Sequence, residues 1–373
     1  MHENKNRRNG TLIALGACWN ARERYRGGKD LEMHDGLLVM DAHSDMLNDV
    51  LLQRARGRKN VIDEDWLPPM KKGGIDARVV AIFSGKTYVP ELALRRGLDL
   101  VAALYEEIDE SSSLILCTSV GDIRKAKENE KIGFILGMEG AEPLGRDIQL
   151  LRIFYALGLR VLGLTHAARN YAGDGAFFFP PPKIGKIGGL SDFGVRLVEE
   201  ASRLGIVIDV SHLNEPGFWD VMENAQAPVI ASHSNCRALF DHPRNIEDEQ
   251  IKAIAERGGV VGINALAMFV NQRSEDATIY QLLDHLDHIV NIGGVESVGL
   301  GFDFCDYLSK YMSEAEKEDE KARLGYTGPV QGLSGDKDVP RVTKELVKRG
   351  YKDEDTRLIL GDNFLRVFEQ VWK

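Results

Sequence analysis

The sequence predicts an α/β protein whose eight strand–helix repeats close into a (β/α)8 TIM barrel. Three observations support this prediction. Short segments rich in Val, Ile, Leu and Gly alternate with longer segments that carry charged residues at helical spacing. The short segments are continuously apolar, as in parallel strands that are buried on both faces. The chain has 373 residues, which accommodates a barrel of about 250 residues together with insertions.

The predicted elements follow one another in strict alternation. Each predicted strand is a short apolar run bounded by turn or polar residues. The strands are Leu37–His43, Ile75–Ser84, Gly133–Glu139, Leu159–His166, Ile206–His212, Pro228–His233, Gly259–Asn264 and Ser297–Asp303. Each predicted helix has good helix-forming residues or a spaced apolar face. The helices are Glu91–Ile108, Ile148–Leu157, Ser191–Leu204, Glu215–Ala225, Glu247–Glu256 and Ile279–Ile292. This order is typical of successive βαβ units.

Local signals support individual helices and place the surplus residues. Asp147 is a plausible cap for the helix that follows it, and Ser191 begins a helix with acid early in its first turn, which suits the positive end of the helix dipole. Residues 1–36 are predicted to be an N-terminal arm, and further residues form loop insertions, the longest at 307–340. We therefore predict a single domain that spans residues 1–373.

Composition and charge exclude several classes of protein. The 57 acidic residues outnumber the 47 basic residues, so the formal net charge is −10, and no basic stripe favours a nucleic-acid partner. Four cysteines are too few for a disulfide framework, which predicts a reducing, cytoplasmic compartment. No run reaches the roughly 18 apolar residues that cross a membrane. The final segment, RVFEQVWK, is not a hydrophobic tail, so a membrane anchor is not expected.

Side chains that can bind metal or titrate end six of the predicted strands. The strand-end segments are residues 41–45 (DAHSD), 137–140 (GMEG), 165–166 (TH), 211–212 (SH), 232–233 (SH) and 301–303 (GFD). The active site of a (β/α)8 barrel lies at the carboxyl ends of its strands, because the βα loops converge there. Buried polar groups in such places must be paired or bound, since leaving them unmatched costs several kcal/mol. The pattern therefore predicts one shared site.

The donor types favour a binuclear site for divalent cations. His43 and Asp45 are two residues apart, so both can point toward the barrel mouth once the strand ends. Glu139 comes from another strand and can bridge two ions with its two oxygens. His212 and His233 would complete the second ion. Imidazoles and carboxylates suit Zn²⁺ or similar divalent metals, and two such ions share one water whose pKa they lower toward neutrality.

Other chemically interesting residues are given structural interpretations. Five histidines are interpreted as residues that do not bind metal: His2, His34, His242, His285 and His288. The last two resemble an ordinary exposed helix face. Cys236 and Cys305 are interpreted as small apolar residues. Phe177–Pro182 reads FFFPPP and is predicted to be a loop that either lines a pocket or fastens itself to the surface.

Seven motifs extend from about residue 40 to about residue 370. They are MDAHSDML, GMEGAEPL, FYALGLRVLGLTHAARNYAGDG, GGLSDFGVRLVEEASRLGIVIDVSH, VIASHSNCRALFDHPRNI, VGLGFDF and LGDNFLRVFE. Together they resemble the membrane (renal) dipeptidase family, zinc dipeptidases with an amidohydrolase-like barrel. The resemblance covers nearly the whole chain. It implies a metallo-dipeptidase that acts on small dipeptides, and relatives of this kind are often homodimers.

The resemblance implies a role for each candidate residue. Two Zn²⁺ ions would be bound by His43, Asp45, Glu139, His212 and His233, with Glu139 bridging both. His166 would lie over the ions and contact the substrate or the developing oxyanion. Arg244 matches the substrate-binding arginine of the family. Asp303 matches an acidic residue that takes a proton from the attacking bridging hydroxide and returns it to the leaving amine.

Two positions depart from the family pattern. Ser44 stands between the two ligands of the first strand, where many members carry Asn, and it is not expected to bind metal. Residues 303–306 read DFCD, where the family usually has DFDG. Asp303 is kept, but Cys305 and Asp306 change the loop that follows. This change bears on pocket shape and substrate preference more than on the metal site.

Three functions are compared on these residues. The first is a binuclear zinc dipeptidase, including activity on dipeptides with a C-terminal D-residue, as relatives show. The second is a related metal-dependent amidohydrolase for N-acyl amino acids or lactones; such barrels usually begin with His-x-His, whereas this chain has His-x-Asp. The third is a non-catalytic homologue that binds peptides or metal, and the intact Glu139 and Asp303 argue against it. We predict the first function.

Overall fold

The computed structural model describes residues 33–178, 185–314, 317–318 and 326–373, and these form the predicted barrel. The strands are β1 (Met40–Ser44), β2 (Ala77–Phe83), β3 (Leu114–Leu116), β4 (Ile132–Glu139), β5 (Leu159–Gly163), β6 (Val207–Asp209), β7 (Ile230–Ala231), β8 (Val260–Ile263) and β9 (Val298–Leu300). All of them except β3 form one closed ring, in which β2 pairs with β4 and β9 pairs back with β1. Every pair in the ring is parallel. The predicted (β/α)8 architecture is therefore confirmed.

One strand was not predicted from the sequence. β3 pairs with residues 132–134 at the start of β4, whereas β5 pairs with residues 136–138 nearer its end. Because β2 occupies the whole of the other edge of β4, β3 extends the sheet outside the ring. It comprises only Leu114–Leu116, and an apolar run of three residues is too short to predict a strand.

Helices surround the ring and include all six that the sequence predicted. They are α1 (Met46–Ala55), α2 (Leu67–Lys72), α3 (Ala93–Glu110), α4 (Val120–Glu128), α5 (Gln149–Ala156), α6 (Asp192–Leu204), α7 (Glu215–Asn224), α8 (Asp248–Glu256), α9 (Ile279–Gly293), α10 (Pro340–Arg349), α11 (Asp353–Arg357) and α12 (Asn363–Val371). The predicted cap of α6 is present, because Ser191 Oγ accepts a hydrogen bond from Gly194 N at 3.1 Å. Asp147 lies one residue before the N-cap position of α5, which is Ile148, and its Oδ1 accepts a hydrogen bond from Gln149 N at 2.9 Å.

The apolar core leaves the carboxyl end of the barrel free for polar side chains. Phe364 and Phe368 of α12 join a buried cluster with the first residues of several strands, among them Met40, Ala77 and Val207. The C-terminal helix therefore packs at the amino-terminal end of the barrel. Gly299 permits this approach, since a Cβ there would lie 2.5 Å from the Phe364 ring.

The predicted arm and insertion are described only in part. The arm at 1–36 lies outside the described residues except for 33–36, and the insertion at 307–340 is described except for 315–316 and 319–325. The insertion contacts the barrel through isolated bridges from Pro329 to Leu266 and from Gln331 to Thr278. Within the ranges that the structure describes, no helix is long and apolar enough to cross a membrane.

Candidate metal centre and active site

Metal-competent side chains from several strand ends meet at the carboxyl end of the barrel. His43 lies within β1, and Glu139 is the last residue of β4. The others follow β1, β5, β6, β7 or β9 within three residues: Asp45, His166, His212, His233 and Asp303. Asp45 and His166 are partly exposed, and the rest are buried. The structure thus brings together all seven of these predicted site residues.

Irregular backbone aims several of these side chains. The pairing of β1 with β2 shifts register between Asp41 and Ser44, on either side of His43. Such an irregularity re-aims a side chain at the end of a strand. His212 and Asp303 have positive φ angles of 69° and 58°. Because this conformation costs a non-glycine residue about 1–3 kcal/mol, it persists only where the surroundings hold it, and it is concentrated at functional sites.

The first group of donor atoms comprises His212, His233 and Glu139. The two Nε2 atoms are 2.8 Å apart. Glu139 Oε1 lies 2.8 Å from His212 Nε2 and 3.4 Å from His233 Nε2. Ligand atoms that each lie about 2 Å from one ion are separated by about 3 Å, so these distances match a shared cation.

A second group adjoins the first through Glu139. His43 Nε2 lies 3.6 Å from Glu139 Oε1, 3.9 Å from Asp45 Oδ1 and 3.8 Å from Asp303 Oδ1. The His43 ring stacks on the ring of His233, with their centroids 3.7 Å apart. Glu139 therefore faces both groups, as a bridging carboxylate must.

The residues present fit divalent cations. Within the described residues, His43 Nε2, Asp45 Oδ1 and Glu139 Oε2 are buried and have no hydrogen-bond partner. Each unpaired buried polar atom costs about 1–3 kcal/mol, and here three of them gather at one place. Cations would satisfy all three, and the mixture of imidazole and carboxylate is the donor chemistry that Zn²⁺ and similar metals accept.

Burial also sets the protonation of the donors. It lowers the pKa of His43 to about 3 and moves the pKa of His212 and His233 well below the usual value. These rings are therefore neutral, which is the form that binds metal. Burial raises the pKa of Asp45 and of Glu139 well above the usual values, and a neighbouring carboxylate adds to each rise: Asp303 beside Asp45, and Asp45 beside Glu139. A nearby cation favours the ionised carboxylates and reverses that shift.

Asp303 is held by two donors beside this group. Its Oδ2 accepts a hydrogen bond from Asn264 Nδ2 at 3.1 Å, and its Oδ1 accepts one from the Cys305 thiol at 3.3 Å. Burial raises the pKa of Asp303 to about 6. The interpretation of Cys305 as a merely apolar residue is therefore wrong, because its thiol contacts this carboxylate.

Arg244 is a buried cation next to the donors. Its Nη1 donates to Ser234 Oγ at 2.8 Å and its Nη2 donates to the carbonyl of His233 at 2.6 Å. Its Nε has no partner in the described part of the chain. Burial lowers the pKa of Arg244 to about 10, so the guanidinium is still charged at neutral pH.

Aromatic rings border the site around His166. The ring of His166 lies 4.5 Å from that of His212, 4.7 Å from Phe83 and 5.5 Å from Phe178. Phe178 also packs edge-on against Phe269 at 5.7 Å. Of the two alternatives for the FFFPPP loop, Phe178 supports the first, in which the loop lines a pocket. Residues 179–182 of this loop lie outside the described residues.

A comparison with known families agrees with this geometry. The family model described as Membrane dipeptidase (Peptidase family M19) matches residues 30–320 and 322–373, nearly the whole chain. The chain belongs to this family. It is therefore a metal-dependent dipeptidase, and the resemblance inferred from the motifs is confirmed.

Individual relatives of this dipeptidase are known by sequence and by structure. A Klebsiella pneumoniae protein described as "Uncharacterized protein in pqqA 5'region" is 34% identical over 70% of this chain and 90% of its own length. Dipeptidase 3 of Mus musculus is 30% identical over 92% of this chain, which spans 65% of the mouse protein. A metallo peptidase from Rhodobacter sphaeroides, solved with a phosphinate mimic of the dipeptide L-Ala-D-Ala, is 29% identical. It superposes with a TM-score of 0.77 over 90% of this chain and 99% of that one.

Sequence reasoning missed the residues that hold the dipeptidase donors in place. Asp209 is the last residue of β6 and Asn264 follows β8. Their polar side chains at strand ends could have predicted a place beside the site. The interpretation of His285 as part of an exposed face is wrong. Its side chain is 1% exposed, and its Nδ1 accepts a hydrogen bond from Cys236 N at 3.1 Å.

Proposed function

We propose that this metal-dependent dipeptidase is a binuclear zinc enzyme that hydrolyses short dipeptides, including those with a C-terminal D-residue. One observation carries the proposal: the buried donors of two groups meet at Glu139, and three of their atoms have no other partner. In this proposal His43 and Asp45 bind one ion and Glu139 contributes to both. The remaining ligands, His212 and His233, bind the other ion.

The metal supplies what the side chains alone do not. Two divalent cations held by the five proposed ligands would acidify the attacking water and would stabilise negative charge on the carbonyl oxygen. Asp303 then accepts the proton of the water and returns it to the leaving amine, for which a pKa of about 6 is well suited near neutral pH. The neutral imidazole of His166 donates a hydrogen bond toward the developing oxyanion.

Arg244 is proposed to bind the substrate carboxylate. A free carboxylate is the group of a dipeptide that a guanidinium binds best, and burial strengthens such a pair. The unpartnered Nε leaves a donor for this contact. Because Phe83, Phe178 and Phe269 border the mouth, a short peptide fits this site better than a long chain.

The stereochemical part of the proposal is supported by a relative. The Rhodobacter sphaeroides enzyme binds a mimic of L-Ala-D-Ala, and this chain matches it over nearly its full length. We also propose that residues 1–373 form one domain, that the enzyme is a homodimer and that it works in a reducing, cytoplasmic compartment. Light scattering of the purified protein tests the dimer.

The decisive experiment combines metal content with a substrate panel. We expect about two Zn²⁺ per chain and hydrolysis of L,L- and L,D-dipeptides, X-D-Ala among them. N-acyl amino acids and lactones serve as the comparison, because faster turnover of these would favour the amidohydrolase alternative. Failure on every dipeptide after metal has been restored would overturn the proposal.

A further inference from the structure

A buried chain of hydrogen bonds holds the ring nitrogen of His233 that faces away from the other donors. His233 Nδ1 lies 2.6 Å from Ser232 Oγ, and Ser232 Oγ lies 2.5 Å from Asp209 Oδ2. Asp209 is 6% exposed, and Ser232 and His233 are each 1% exposed. Asp209 ends β6 and Ser232 follows β7, so the chain of bonds joins two neighbouring strand ends.

The direction of each bond follows from the groups involved. Asp209 Oδ1 accepts backbone hydrogen bonds from Ser211 N and Ser232 N, both at 2.9 Å. Its Oδ2 is therefore the oxygen left for the Ser232 hydroxyl. A carboxylate can only accept, so Ser232 donates its single proton to Asp209 and has only lone pairs to offer to His233.

This arrangement determines which nitrogen of His233 carries the proton. Because Ser232 Oγ accepts, His233 Nδ1 must be the N–H donor. A neutral imidazole has one N–H only, so Nε2 keeps its lone pair. That lone pair faces Glu139 Oε1 and His212 Nε2 at 3.4 and 2.8 Å.

We propose that Asp209 and Ser232 are positioning residues that hold His233 in the tautomer able to bind a metal ion. The proposal rests on the proposed function, in which His233 is a ligand. Partners of this kind fix the ring orientation and tautomer of a ligand histidine, and their loss typically costs about 10–100-fold in metal affinity. His212 has no comparable pair of partners, because its Nδ1 has no hydrogen-bond partner among the described residues.

Asp209→Asn separates this role from simple packing. The Asn side chain has the same shape as Asp, but it reverses the direction of the hydrogen bonds between residue 209, Ser232 and His233. The two backbone N–H groups hold the amide oxygen of the new side chain. Its NH₂ then faces Ser232 Oγ as a donor, so Ser232 turns its own proton away from residue 209. His233 Nδ1 at 2.6 Å is a nearer acceptor for that proton than Ser211 Oγ at 3.4 Å. Nδ1 becomes an acceptor, so the ring proton resides on Nε2, where it blocks metal binding.

The first test needs no metal. Nitrogen-15 NMR of the metal-free protein, with labelled histidine and with His233 assigned by His233→Ala, reports which ring nitrogen bears the proton. We expect Nδ1–H in the wild type and Nε2–H in Asp209→Asn. A wild-type His233 protonated on Nε2 would overturn the proposal.

The second test measures Zn²⁺ affinity by competition with a chromophoric chelator. We expect Ser232→Ala to weaken one of the two ions by about 10–100-fold and Asp209→Asn to weaken it more. Ser297→Ala is the matched control. Its hydroxyl is also buried, but it donates to the carbonyl of Gly294 at 2.7 Å at the amino end of β9, away from the donors. Affinity in this variant should stay within about twofold of wild type.

The outcomes distinguish this proposal from the proposed function. Equal affinity in wild type, Asp209→Asn and Ser232→Ala would overturn the positioning role alone. A wild type that takes up no Zn²⁺ would overturn the proposed function, and the NMR result would still decide the tautomer. If Asp209→Asn does not fold, as judged by circular dichroism, Ser232→Ala carries the affinity test.

Discussion

Asp303 shows how much at this site depends on the surroundings of single residues. Its carboxylate is 7% exposed and held by Asn264 and Cys305, and its backbone has a positive φ. An exposed aspartate would be ionised throughout the neutral range and would be a weak base. Desolvation raises the pKa of Asp303 to about 6, which is closer to the pH at which a general base works best.

The acid limb of kcat/KM is expected at or below about pH 6. The carboxylate is the active form of Asp303, so activity is present above its pKa and is lost as pH falls through it. Burial raises that pKa to about 6, and bound cations, which favour the carboxylate, move the limb lower. Initial rates from about pH 4 to 9 at saturating metal measure it. A profile that stays flat down to about pH 4 would contradict the assignment of Asp303 as the base and the assignment of the metal ligands, which acid should protonate.

Glu139→Gln is expected to lower metal content and activity together. Gln preserves shape but removes the charge that faces both groups of donors. We expect less than two Zn²⁺ per chain and a fall in kcat of at least about 100-fold, since even outer partners of ligands are worth about 10–100-fold. Metal analysis and steady-state rates measure this. Glu142→Gln is the control, because Glu142 lies three residues along the chain and outside the clustered donors. It should keep both the metal content and the kcat of the wild type. Unchanged turnover in Glu139→Gln would refute the bridging role.

Among the strands, a buried ion-pair network joins β1, β2 and the end of β9. Arg78 of β2 lies 3.0 Å from Asp41 Oδ2 and donates to Asp336 Oδ2 at 3.0 Å. The other oxygen of Asp41 accepts hydrogen bonds from the backbone N–H of Phe302 and of His43. The network therefore fixes the strand ends that present His43 and, one residue after Phe302, the proposed general base Asp303.

Arg78→Met is expected to lower the free energy of unfolding by about 3–5 kcal/mol, because it removes the cation that pairs with two buried carboxylates, Asp41 and Asp336. Urea denaturation measures the loss. Arg95→Met is the control, since Arg95 pairs with Asp99 on the exposed face of α3 and such pairs contribute about 0–1 kcal/mol. Similar losses in both variants would show that the buried network does not stabilise the barrel.

At the scale of the whole molecule, the proposed ligands connect distant parts of the chain. They extend from His43 to His233 and come from four strand ends. An unfolded chain does not hold these donors together, so metal bound by the folded barrel stabilises it by mass action.

Removal of metal is expected to lower both stability and activity. At a free Zn²⁺ concentration of about 100 Kd, binding adds about 2.7 kcal/mol per site to the free energy of unfolding. Chelation should therefore lower Tm and abolish hydrolysis, and added Zn²⁺ should restore both. Calorimetry and rate assays on the same sample measure this. A chelated protein with unchanged Tm and turnover would contradict a resident metal, and Glu139→Gln should show a smaller response to Zn²⁺.

Most of the barrel could be predicted because its signals are local. A strand buried on both faces is a continuous apolar run, so all eight strands of the ring were found. Six helices in the described part of the chain were missed, for different reasons. The helix α2 has only six residues and two prolines, and the strand β3 has only three residues, so both leave too little pattern. In contrast, α4 begins with a capping box formed by Ser119 and Asp122, which is a local signal that could have predicted it.

The kinds of donor and their places at strand ends were determined by the sequence alone, since both can be read from neighbouring residues. The tertiary structure decided what those donors face. Arg78 meets Asp336 across 258 positions, and Asp209 meets Ser232 across 23. Such contacts depend on the closure of the ring and on the angle at which each strand ends. Local spacing does not encode either, so the partners of Asp209 and of Arg78 are decided by the closed barrel and not by neighbouring residues.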